Sequence, residues 1–361
     1  MTDNNIYERL ANVLDTLPNG FPRTESGVEM KILEKIFEPD EADLFCELRL
    51  KFENVDQIAK RTGRDPEELG ALLDRMWQNG LVFGVDLAGT RLYKMIPWVF
   101  GIYEFQINRM DREFVELCDQ YMPHYGVQFF EHRPSLMRVA PIEKHLQNAQ
   151  EALPYDRVSA IIENGLSFGV NDCICKKERA MLDQGCEKPR EVCLAIAPVP
   201  NVFDNHPLGL RVITKEEAYD ILKQSEEAGL VHLVGNVQNG HFFICNCCGC
   251  CCGVLRSING LGVTNGVSSN YLAVIDQDLC IQCGVCAEER CQVNAIDLVD
   301  DIYRVNRKKC IGCGLCVTTC PSEAISLGAK PEDLCEIPPV SEEEWFAQRG
   351  RARGVDPAPY L

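Results

Sequence analysis

The chain has 361 residues, enough for two or three domains with cores of their own, and its apolar (46%) and charged (25%) content is that of a folded protein. The formal charge of −18 opposes non-specific nucleic-acid binding, which depends on Lys and Arg neutralising phosphates, and favours a protein partner with a basic docking face. The longest apolar stretch, around residues 95–103, is too short to span a bilayer, and MTDNNIYERL lacks the basic start and apolar core of a signal peptide, so a cytoplasmic protein is expected.

Residues 1–27 read as an arm: a short amphipathic start and then a Pro/Gly break. Residues 28–104 read as a compact helical domain closed by a hairpin. Its clearest helix is DPEELGALLDRMWQNG, with Asp65 as N-cap, Pro66 at the first helical position and Glu68 placed to close a capping box. Leu69, Leu72, Leu73, Met76 and Trp77 then share one face, and Gly80 supplies the stop. LVFGVD and RLYKMI alternate around AGT as a two-stranded wing. This helix–helix–helix–hairpin order resembles a winged helix-turn-helix domain. The segment carries fifteen acidic against ten basic side chains, and its would-be recognition helix has Asp65, Glu67, Glu68 and Asp74 beside only Arg75. Protein docking is therefore expected of it before DNA binding.

Residues 105–271 read as an α/β cysteine-rich domain. It opens with a long amphipathic helix from Tyr103, followed by a strand-like SLMRVAPI and a helix around PYDRVSAIIENG. Further on, Thr214 can cap KEEAYDILKQSEEAG, which runs into the strand LVHLVG. Residues 329–361 form a tail with one capped helix, Ser341 and Glu344 preceding WFAQRGR.

Of the twenty-one cysteines, only Cys46, Cys118 and Cys335 stand apart and read as ordinary thiols. In a cytoplasmic chain, clusters of cysteine are metal ligands or redox groups rather than disulfides. An internal repeat organises the last eight. CIQCGVC (280–286) recurs thirty residues later as CIGCGLC (310–316), and each copy is followed by one more cysteine and an Ala-Ile pair, in CQVNAIDL and CPSEAISL. The second copy has the C-x2-C-x2-C-x3-C-P run of bacterial ferredoxins.

Residues 272–328 thus resemble a two-cluster bacterial ferredoxin, a βαββαβ module holding two 4Fe-4S clusters. The resemblance implies that Cys280, Cys283, Cys286 and Cys320 hold one cluster, while Cys310, Cys313, Cys316 and Cys291 hold the other. The first copy departs from the family pattern twice: four residues rather than three separate Cys286 from Cys291, and Gln292 replaces the usual Pro. The extra residue falls between ligands of different clusters and leaves both three-cysteine wraps intact. Gly284, Gly312 and Gly314 suit tight wrapping, and Ile281, Val285, Ile311 and Leu315 are expected to shield the clusters from water.

Ten further cysteines form a second set. Cys173, Cys175, Cys186 and Cys193 come first; Cys245, Cys247, Cys248, Cys250, Cys251 and Cys252 follow in ICNCCGCCCG. Were that run helical, Cys245, Cys248 and Cys252 would share a face. Disulfides between such near neighbours are geometrically poor, which leaves metal or redox chemistry. The first four could supply one site, and the run another or the remaining ligands of a shared one. One or more additional iron–sulfur clusters are expected here, with zinc and a metal-free dithiol site as alternatives. The arrangement resembles cysteine-rich proteins of anaerobes that carry a C-terminal ferredoxin pair. His241, just before the run, reads as a surface histidine.

The expected whole is an α+β, multidomain iron–sulfur protein that passes single electrons between a redox partner and the middle centre or a partner oxidoreductase. Two alternatives remain at this level: an oxidoreductase that reduces a disulfide or other small substrate at the Cys245–Cys252 centre, and a redox-sensing winged-helix regulator.

Overall fold

The computed structural model describes residues 3–87, 89–142 and 156–361. Helices and strands both contribute, in an α+β manner. The chain divides into two compact units. The first gathers the chain up to Phe129 with Val202–Leu210 and Phe346–Leu361; the second holds Phe130–Asn201 and Arg211–Trp345.

The first unit opens with α1 (Asp3–Thr16), α2 (Val28–Ile36), α3 (Pro39–Phe45), α4 (Val55–Thr62) and α5 (Pro66–Gln78). Asp65 caps α5 through its side chain, which accepts from the Glu67 and Glu68 N–H groups at 3.0 and 3.1 Å. The reciprocal Glu68 bond expected from the sequence is not among the described contacts; full capping boxes are made at α3, between Glu38 and Glu41, and at α4, between Asn54 and Gln57. Leu69, Leu73, Met76 and Trp77 are buried as the pattern requires, with Leu72 half-buried. Gly80 stops the helix at φ 68°, where a β-carbon would meet the Phe105 carbonyl oxygen at 2.5 Å. An antiparallel hairpin follows, β1 (Phe83–Leu87) against β2 (Thr90–Lys94); of the expected turn residues, Ala88 lies outside the described ones. The short α6 (Tyr103–Phe105) leads into α7 (Arg112–Glu131). Tyr121 of α7 joins Phe21 and Trp98 in an aromatic core, ring centroids 5.2–5.4 Å from Phe21. That packing carries the unit well past residue 104.

The second unit is built on a seven-stranded sheet with order β6-β4-β5-β8-β7-β3-β9. In chain order its elements are β3 (Met137–Val139), α8 (Val158–Glu163), β4 (Ser167–Asp172), α9 (Ile174–Met181), β5 (Glu191–Ala197), β6 (Arg211–Ile213), α10 (Lys215–Glu227), β7 (Val231–Gly235), β8 (Phe243–Cys247), α11 (Gly253–Leu261) and β9 (Val267–Ser268). All pairings are antiparallel except β3 with β9. Of the helix expected around PYDRVSAIIENG, residues 154–155 lie outside the described ones. Thr214 caps α10 as expected, accepting from Glu217 N–H at 3.1 Å. The apolar core lies between the sheet and α8 and α10, with Ile162, Phe168, Leu194, Ile221 and Ile244 buried beside Cys248 and Cys251. Arg138 on β3 is fully buried, donating to Asp156 at 2.6 and 3.0 Å and to Asn236 at 3.1 Å.

The same unit continues through β10 (Tyr271–Ile275), β11 (Ile296–Val299), β12 (Ile302–Val305), α12 (Leu315–Thr318) and β13 (Ile325–Ala329). β10 pairs antiparallel with β13, and β11 with β12. A helical turn over Cys286–Arg290 precedes β11. A last helix, α13 (Glu342–Arg353), carries Ser341 at its start, accepting from Glu344 N–H at 3.4 Å. Among the described residues no helix is long and apolar enough to cross a membrane.

Candidate metal and cluster sites

The repeat folds into two cysteine-walled cavities. One is bordered by Cys280, Cys283 and Cys286 from the first copy and Cys320 from the second. The other is bordered by Cys310, Cys313 and Cys316 from the second copy and Cys291 from the first. Each cavity therefore takes three thiols from one copy and one from the other.

The inserted residue of the first copy is absorbed locally. Cys291 N–H donates to the Cys286 carbonyl at 3.1 Å, an i to i+5 closure. The extra residue thus becomes a π-type turn, and Cys291 still arrives at its cavity. Gly312 has φ 61°, and a β-carbon there would stand 2.2 Å from the Tyr271 carbonyl oxygen; Gly284, at φ 80°, would place one 2.8 Å from the Tyr303 hydroxyl. Both wraps need glycine at these points.

Backbone N–H groups point at the sulfurs. Ala295 donates to Cys291 Sγ at 3.1 Å and Ala273 to Cys310 Sγ at 3.4 Å. Burial, with the neighbouring Cys283 and Cys280 thiols, pushes Cys286 up to about 11, and burial pushes Cys313 up to about 12 and Cys316 further. Burial thus disfavours the thiolate at Cys286, Cys313 and Cys316, a cost that a bound cationic centre would offset. All-thiol donors, cavities and N–H···S contacts fit iron–sulfur cubanes.

The two cavities differ in exposure. Cys283 is exposed and Ile281 is 64% exposed, so Ile281 lines its cavity without closing it. Ile311 and Leu315 are buried at the other cavity, where Ile142 N–H donates to the Cys313 carbonyl at 3.2 Å.

The second cysteine set is neither a helix nor two sites in chain order. Cys245 and Cys247 lie on β8, residues 248–251 turn, and Cys252 precedes α11. The ten thiols separate into two groups, each drawing on both segments. Six of them form a continuous series of side-chain neighbours: Cys173 with Cys175, Cys175 with Cys252, Cys252 with Cys247, Cys247 with Cys245, and Cys245 with Cys193. Cys186, Cys248, Cys250 and Cys251 make the other group, their sulfurs all within 4.8 Å of one another. Cys46 and Cys118 are buried outside either group.

Side chains the sequence did not single out complete this region. Lys176 is 2% exposed and donates to the carbonyls of Pro189 at 2.7 Å and Asn246 at 3.3 Å. Its ammonium favours the Cys173 thiolate, although the Cys175 thiol and burial outweigh it and leave Cys173 raised. His232 on β7 is likewise buried, its Nδ1 2.5 Å from Asn246 Oδ1. His241 differs from the surface histidine expected: both ring nitrogens are buried, and burial followed by Arg138 depresses it to about 4.

The departures from the ferredoxin pattern are contact residues. Gln292 Oε1 accepts from Gly249 N–H at 3.0 Å, and its carbonyl accepts from Asn259 Nδ2 at 3.0 Å. Arg290 donates to the carbonyls of Glu226 and Glu227, at the end of α10, at 2.9 and 3.2 Å. The signal was visible in the sequence as an insertion and a missing Pro, but its meaning required the facing surface.

Residues 273–327 match the family described as the 4Fe-4S dicluster domain. Relatives include Hydrogenase-4 component A of Escherichia coli, 34% identical over 24% of this chain and 44% of its own length. Two uncharacterized ferredoxins of Methanocaldococcus jannaschii are 30% and 34% identical over 26% and 24% of this chain, and 58% and 52% of theirs. The chain thus spans about half the length of the curated relatives it matches. No solved structure matches. Residues 273–327 of the chain are thus an iron–sulfur ferredoxin domain of the dicluster type.

Proposed function

We propose that the protein relays single electrons through two 4Fe-4S clusters, one ligated by Cys280, Cys283, Cys286 and Cys320, the other by Cys310, Cys313, Cys316 and Cys291. The observation that carries this reading is the pair of cavities, each walled by three thiols of one repeat and one of the other. Bound cubanes supply one-electron chemistry with little nuclear movement. The exposed cavity, with Cys283, Ile281 and Leu279 at the surface, suits the face that meets a redox partner. From the buried cavity, Cys291 leads through Gln292 to Gly249 of the cysteine run, a covalent and hydrogen-bonded route toward the middle domain. There the six-thiol group beside Lys176 suits a further iron–sulfur centre, since a buried ammonium offsets the negative charge of thiolate-held iron.

The helical unit reads as winged-helix-like and as a protein-docking element. Helices followed by a hairpin support the likeness. Arg61, Arg64 and Arg75 are each committed to carboxylates of the same unit, which leaves little positive potential for a nucleic acid.

Anaerobic purification with iron and sulfide analysis and EPR of the reduced protein tests the relay. About eight irons account for the ferredoxin pair, and about twelve add the middle centre. A colourless protein with no iron in 272–328 overturns it.

Six thiols exceed the four that one cubane takes, so the same thiol group supports a second reading, an oxidoreductase centre that reduces a disulfide. Alkylation of two of the six in iron-loaded protein favours that reading, and full protection counts against it.

A further inference from the structure

The four-thiol group stands apart from the cluster chemistry proposed above. Cys186 comes from the loop between α9 and β5, and Cys248, Cys250 and Cys251 from the turn between β8 and α11. The sulfur separations are 3.9 Å for Cys186–Cys248, 3.6 Å for Cys186–Cys251 and 3.8 Å for Cys250–Cys251. These are too long for a disulfide, whose sulfurs sit about 2.05 Å apart. They match the edge of a tetrahedron: four sulfurs about 2.3 Å from a central ion lie about 3.8 Å from one another.

An iron–sulfur cubane needs a different spacing, because it spreads its thiolates over four separate irons. Among the described residues, the ferredoxin cysteines and the six-thiol series do not draw three or more ligand atoms within 4.8 Å of one another; this group does. The same protein thus carries two kinds of thiol site, wide ones and one narrow one.

We infer that Cys186, Cys248, Cys250 and Cys251 bind a single tetrahedral metal ion, zinc, in a closed structural site separate from every iron–sulfur centre. All-thiolate donors with no carboxylate, histidine or free ligand position are the structural-zinc pattern. As the ion enters, each thiol releases its proton to solvent and forms one sulfur–metal bond; no electron moves. The site pins the Cys186 loop to the turn that holds Gly249, the residue on which Gln292 of the ferredoxin module rests. Zinc here would fix the surface against which that module docks.

Metal analysis of the full-length protein tests this, and because it counts zinc separately from iron, it can fail without the electron relay failing. Expected are about one zinc per chain beside the iron, loss of that zinc in Cys186→Ser and in Cys250→Ser, and unchanged iron and EPR signals in Cys250→Ser, whose side chain is exposed. Cobalt exchanged into the wild-type protein should show tetrahedral ligand-field and thiolate charge-transfer bands, a readout that does not depend on a variant folding. Zinc retained in both variants, or sulfide-bearing or mononuclear iron lost in their place, overturns the inference.

Discussion

Single residues carry the crossing of thiols between the two repeat copies, and that crossing makes a sharp prediction. Cys291 follows the first cysteine run in sequence but borders the cavity of the second, and Cys320 does the reverse. Cys291→Ser should therefore disturb the same EPR signal as Cys316→Ser, and Cys320→Ser the same signal as Cys286→Ser. Pairing by sequence position instead would undo the assignment. Gln292 makes a second prediction. Restoring the proline common at this position removes the oxygen that accepts from Gly249 N–H and leaves that half-buried donor unpaired. Gln292→Pro should cost about 1–3 kcal/mol in denaturant unfolding while iron content stays constant. An unchanged midpoint would mean that the contact contributes nothing. The repeat spacing made the eight cysteines that border the two cavities legible in the sequence, because covalent proximity decides three of every four. Lys176 and Asn246 were not legible, since their roles depend on strands β5 and β8 meeting across some fifty residues.

At the scale of elements, local chemistry was readable and long-range pairing was not. The caps at Asp65 and Thr214, the Gly80 stop and the hairpin are decided within a few residues, so the sequence exposes them. The seven-stranded sheet is assembled from short strands far apart in the chain, and β8 takes into a strand cysteines that could equally have been placed on a helix. The bend before α6 hides another feature that no pattern announces. Glu104 accepts from Gly101 N–H at 2.8 Å, and burial, only partly offset by the backbone N–H groups of Gly101, Glu104 and Phe100, raises it from 4.5 to about 7. A carboxyl raised on folding favours the native state while it is protonated. Its contribution is whole below pH 4.5 and is lost as pH rises through about 7. Stability measured by urea unfolding should fall between pH 5 and pH 8 in the native sequence, and Glu104→Gln should remove that part of the fall. Parallel pH profiles would show that the group is not linked to folding.

The whole molecule is defined by its charge and by an asymmetry in exposure. The chain carries a formal charge of −18, and its ferredoxin domain opens to solvent at Cys283 while Cys313 meets Ile142 of the same unit. On the proposed relay, an electron donor or acceptor approaching from outside meets the Cys280–Cys286 face of a chain whose net charge is acidic. Long-range attraction then sets the encounter rate more than the final contact does. Reduction by a basic redox protein should slow by about tenfold or more between low and high ionic strength, while reduction by a small neutral reagent such as a deazaflavin radical stays nearly constant. Stopped-flow absorbance of the iron–sulfur chromophore reads both rates. If the two respond alike to salt, the acidic surface does not steer partners, and the apolar rim of Leu279 and Ile281 must select them by contact alone.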